Sequence, residues 1–128
     1  MKDDEFLAAL EACRLPAERF GHADHLRAAF LYLEQLPFGA AIDRMRATLQ
    51  HYTAFLGRAS RYHETVTVAF MSLVNAHRQS GGYRDWNEFA ALNPELFDSE
   101  LLGRYYAAET LASAVARQAF VLERRKEP

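Results

Sequence analysis

A single cysteine, Cys13, stands in the 128 residues of this chain. No intrachain disulfide can form, so the fold must rest on its core. Such usage fits a reducing compartment, and the expectation is a cytoplasmic protein. Long apolar runs are also missing. None approaches the roughly 18 residues that span a bilayer, and the acidic, amphipathic opening MKDDEFLAAL is unlike a secretory signal. A basic excess is lacking too, because 15 Lys and Arg face 17 Asp and Glu for a formal charge of −2. Nucleic-acid binders normally carry a basic face, so neither nucleic acid nor a membrane is expected as partner. The one dense charge run, Glu123 to Glu127, reads as a solvated end.

What the chain does have is apolar mass. Half of its residues are hydrophobic and 12% are aromatic, enough to build one core over a single domain, 1–128. Apolar positions recur at three and four, and no segment keeps a period of two for long. The fold class expected is all-α: an up-and-down bundle of four main helices with a helical C-terminal elaboration. The first helix is expected over about Asp4–Arg14, with Phe6, Leu7 and Leu10 inward. The second begins near His22 and buries Leu26, Ala29, Phe30 and Leu33. Pro37 can open the third, which carries Ile42, Met45, Leu49 and Tyr52 before Gly57 stops it. Ser60 is the expected cap of a fourth helix over Arg61–Gln79. Beyond SGG, shorter helices are expected from Trp86 to Leu92, after Asn93, and after Ser99 as a cap.

The stretch FGHADHLRAAFLYL places His22 and His25 three residues apart, about 60° round a helix, on its apolar side. RYHETVTVAF does the same for His63, in register with Thr67, Phe70 and Val74. Each histidine falls in the first turn of its helix. If short connections make successive helices antiparallel, the second and fourth run the same way and the three imidazoles gather at one mouth. Tyr52 and Phe55, near the end of the third helix, would wall it. Two helix N-termini there disfavour imidazolium and attract anions.

Three neutral histidines suit a divalent metal, zinc or iron, with a position left open for water. His22, His25 and His63 are therefore the expected metal ligands. Glu64, about 100° from His63, is the expected proton-transfer group or further ligand, and Tyr52, Tyr62 and Thr67 the expected hydrogen-bonding groups for a bound molecule. His51 shares a wet helical row with arginines, and His77 lies toward the far end of its helix, so neither joins the set. Cys13 reads as a small apolar filler, and Trp86, Tyr105 and Tyr106 as packing. Arg44, Arg46, Arg58 and Arg61 are positioned to frame an anion, although scattered solvated charge explains them more simply.

The expected function is thus a small metal-binding helical protein, in its sharper form a metal-dependent enzyme. Two alternatives stand beside it. One is a metal-free module holding a small molecule or anion; the other is an interaction protein with a structural histidine cluster, dimerising through its apolar C-terminal helices. The segments FGHADHLRAAFLYL, YHETVTVAF and LLGRYY…LASAVARQAFV together resemble a family of small bacterial all-α proteins with F-x-H-x-x-H-L and Y-H-E-T-[IV]-T motifs. The resemblance covers most of the chain. It implies no reaction and directs attention to His22, His25, His63 and Glu64. The chain departs from that pattern at its end, where LERRKEP follows the last Phe-Val in place of Pro-Asp.

Overall fold

The computed structural model describes residues 1–124, so Arg125 to Glu127 of the charged tail lie outside the described residues. Within them the chain is all-α, with seven helices and no strand. These are α1 (Asp3–Glu11), α2 (His22–Gln35), α3 (Phe38–Phe55), α4 (Glu64–Arg78), α5 (Trp86–Leu92), α6 (Ala108–Leu111) and α7 (Ala114–Gln118). Short 3₁₀ turns lie between several of them.

The ends of the helices follow local chemistry. Asp3, Asp4 and Glu5 put negative charge on the first turn of α1, where the helix dipole favours it. The same helix stops at Cys13, which takes a left-handed φ of 57° and lets Arg14 N–H reach back to Ala9 O at 2.8 Å. Gly57 closes α3 in the same way, with φ 71° and an Arg58 N–H bond to Thr53 O. The glycine meets that need without strain, whereas Cys13 meets it with a side chain attached. Pro37 sits just before α3 rather than in its first turn.

Two expected caps are corrected. The segment after Gly57 forms a 3₁₀ turn over Ala59–Arg61 rather than the start of α4, so Ser60 caps nothing. The cap of α4 is His63, whose Nδ1 accepts the Val66 N–H. Ser99 likewise lies in a turn, and Ser113 is the serine that caps, on α7.

The core runs from α1 through α5, with Leu10, Leu26, Phe30, Tyr32, Val74 and Phe89 among its most buried side chains. Burying each large apolar side chain contributes roughly 1.5–3 kcal/mol. An aromatic cluster of Phe30, Tyr83, Trp86, Phe89 and Phe97 seats α5 on α2, as expected for Trp86. Tyr106 is buried in a second, smaller cluster against α4, while Tyr105 is half exposed.

Contacts along the helices give their relative sense. His22 meets Phe70 and Glu34 meets Arg78, so α2 and α4 run the same way. Yet α1 and α2 do as well, because Asp3 meets Arg27 and Glu11 meets Tyr32 in the same order along both. An up-and-down pair would show these contacts reversed. The connection of ten residues between α1 and α2, with its 3₁₀ turn over Ala17–Arg19, is long enough to bring the chain back alongside.

Candidate functional site

The first turns of α2 and α4 open into one cavity of about 380 Å³. His22, His25 and His63 all line it, together with Tyr62 and Thr67. The walls are mostly apolar, supplied by Phe20, Leu26, Met45, Leu49, Phe70 and Met71. No carboxylate is among its lining residues, and Arg61 is the one arginine among them. Arg61 is exposed and has no ion-pair partner among the described residues.

The three imidazoles are held in different ways. His25 places Nδ1 3.0 Å from Gly21 O, a carbonyl that can only accept, so Nδ1 carries the hydrogen. Its ring lies 4.1 Å from that of Phe20. Burial pushes its pKa below the usual histidine value, and the nearby His22 adds to that against the opposing Gly21 bond. A neutral ring with hydrogen on Nδ1 has its lone pair on Nε2. That atom bonds no protein group among the described residues, and no buried side-chain nitrogen or oxygen lacks a partner there. The Nε2 is therefore open to the cavity or to solvent.

His22 is anchored by its other nitrogen. Its Nε2 lies 3.0 Å from Leu96 O, which leaves Nδ1 unengaged, and its ring meets Phe70 edge-on at 5.0 Å. His63 has no nitrogen to spare. Nδ1 accepts from Val66 N–H at 3.1 Å and Nε2–H donates to Leu111 O at 2.7 Å. The expected trio thus shares a cavity but not a chemistry, with His63 spent on holding α4 to the C-terminal segment. Among the described residues, no three of His, Cys, Asp and Glu are grouped so as to hold one metal ion. Two free ring nitrogens fall short of the three protein ligands that a catalytic zinc commonly takes.

Glu64 points elsewhere. Its carboxylate accepts three hydrogen bonds from the Arg46 guanidinium at 2.7–3.0 Å and one from Tyr62 O–H at 2.6 Å. These bonds, led by Arg46, hold its pKa below the usual value and leave it a weak base. It lines a second hollow of about 680 Å³, walled mainly by polar residues, that shares Tyr62 with the cavity. The expected role of Glu64 as proton-transfer partner of the histidines is therefore corrected: the ion pair with Arg46 pulls it off their face. Tyr52 is corrected as well. It is buried and donates to Leu15 O at 2.6 Å, behind Phe20, and does not line the cavity. Thr67 and Tyr62 do line it, with Thr67 O–H donating to His63 O.

Reading the sequence alone left Met45 and Leu49 as the packing stripe of the third helix and Arg61 as solvated charge, and gave Phe20 and Met71 no place in the wall. The apolar residues carry no local mark that separates a cavity wall from a core. For Arg61 the signal was adjacency, two residues before His63. His51 is exposed, as expected, and His77 stands away from the cavity, with Nδ1 2.8 Å from Asn93 Oδ1 and 3.2 Å from Glu95. No described helix is long and apolar enough to cross a membrane.

No protein-family model, curated protein or solved structure matches the chain.

Proposed function

We propose that this protein binds a small, mostly apolar organic acid, without metal, in the cavity between α2, α3 and α4. One observation carries the reading: an apolar space of about 380 Å³ is lined by His25, whose Nε2 bonds no described protein group, and by Arg61, which has no ion-pair partner among the described residues, with no carboxylate on its lining. That volume lies in the range of small-molecule sites, and a few convergent polar groups in an apolar cleft are their usual construction. The complementary ligand has three parts. Its body packs on Leu26, Met45, Leu49, Phe70 and Met71. A hydroxyl or N–H donates to His25 Nε2. Its negative charge faces Arg61 and the first turns of two helices.

Calorimetric titration with hydroxylated aromatic acids, set against their methyl esters and against zinc and ferrous ions, tests this. The acids are expected to bind, the esters to bind at least about tenfold more weakly, and Arg61→Ala to erase most of that difference. Tight zinc binding that His22→Ala and His25→Ala both abolish would instead return the site to metal chemistry. Equal binding of acids and esters would remove the anionic part of the reading.

A further inference from the structure

The polar hollow beyond Tyr62 shares two wall residues, Thr53 and Tyr62, with the apolar cavity. The two spaces therefore adjoin, and the 59–62 segment runs between them, with Ala59 and Ser60 lining one and Arg61 the other. An arginine lines each side of that seam. Arg61 lines the apolar cavity. Arg117, brought by α7, lines the polar hollow and reaches Ser60 O at 3.3 Å, a long bond to a neutral carbonyl. Neither arginine has a carboxylate partner among the described residues.

Further donors gather there. Gln50 and Gln118 line the polar hollow, and their side chains have no hydrogen-bond partner among the described residues. The one carboxylate on its wall, Glu64, is already neutralised by Arg46 and bonded by Tyr62. A single carboxylate at the rim would use Arg61 and leave Arg117 and the amides idle. A phosphate carries more than one negative charge near neutral pH and three free oxygens, so it suits two guanidiniums and neighbouring amides better.

We infer that the acid bound here is a phosphate monoester, with its apolar body in the cavity and its phosphate at the seam between Arg61 and Arg117. This rests on the cavity reading above and names its ligand class. The phosphate displaces the weak Arg117–Ser60 contact and takes guanidinium donors from both sides, while His25 accepts from a donor on the apolar body.

Calorimetry with phenyl phosphate, phenylacetate and phenol on wild type, Arg61→Ala and Arg117→Gln separates the parts. Wild type is expected to bind phenyl phosphate at least about tenfold more tightly than phenylacetate. Arg117→Gln should collapse that preference and leave phenol binding unchanged, and Arg61→Ala should weaken both anions. Arg117 is exposed, so the variant is expected to keep the wild-type thermal midpoint. Should its midpoint fall, Gln118→Ala replaces it, with a loss of at least about twofold for phenyl phosphate alone expected. Phenyl phosphate binding no tighter than phenylacetate, or a preference that survives Arg117→Gln in a folded protein, would overturn the inference and leave the cavity reading intact. Failure of all three compounds to bind would overturn both.

Discussion

Replacing His63 by alanine separates its two bonds when read beside the asparagine variant. In the structure its Nδ1 caps α4 by accepting from Val66 N–H, and its Nε2–H satisfies Leu111 O. Loss of a helix cap costs typically about 1 kcal/mol. Loss of the donor to a part-buried carbonyl costs about another 1 kcal/mol, the low end of the range because water can reach it. His63→Ala should therefore destabilise by about 2 kcal/mol. Asparagine is among the best capping residues, so His63→Asn keeps the first bond and loses the second. Its expected cost is about 1 kcal/mol. In urea, with a slope of about 2 kcal/mol per molar, the midpoint should fall by about 1 M for alanine and half that for asparagine. An alanine variant within about 0.5 kcal/mol of wild type would refute the capping role. So would an asparagine variant no more stable than alanine.

Two further outcomes follow from the same geometry. The folded pKa of His25 lies below 6.5, so between that value and pH 6.5 the unfolded chain binds a proton that the folded chain refuses. Stability should then fall as pH drops below 6.5, by at most about 1.4 kcal/mol per pH unit from this group, and level off below the folded pKa. Urea midpoints of wild type and His25→Gln from pH 5 to 8 check this, and parallel curves would contradict it. Thr65 is fully buried, and its hydroxyl donates to Ala119 O at 2.8 Å while accepting from Val121 N–H at 3.1 Å. Thr65→Val keeps the shape and strands both backbone groups, with an expected loss of about 2–3 kcal/mol in the same unfolding assay. A change under about 0.5 kcal/mol would mean the 119–121 segment is not held there.

The helices were legible where local chemistry decides them. His22 opens α2, α5 runs from Trp86 to Leu92, and Gly57 closes α3, each as periodicity and turn residues dictate. The start of α4 was not legible, because Ser60 offers the better-known cap and nothing local shows that an imidazole will serve instead. The parallel course of α1 and α2 was hidden in a connection whose length allows either sense. At the site, the placing of three histidines on one cavity followed from the parallel course of α2 and α4. Their separate chemistry did not, because it is set by the carbonyls of Gly21, Leu96 and Leu111, and a backbone carbonyl has no residue signature. Glu64 was misplaced for a similar reason: the arginine that claims it lies 18 residues upstream on another helix.

The anchoring of α4 to the end of the chain bears on when the cavity comes into being. His63 is fixed by Leu111, and Thr65, two residues on, holds the backbone at Ala119 and Val121. During synthesis from the N-terminus, α1 to α4 are complete about forty residues before those partners emerge. Until then the first turn of α4 lacks its brace and His63 has one bond instead of two. The part of α4 that lines the cavity is thus braced late, by the 111–121 segment, after α1 to α4 have already been made.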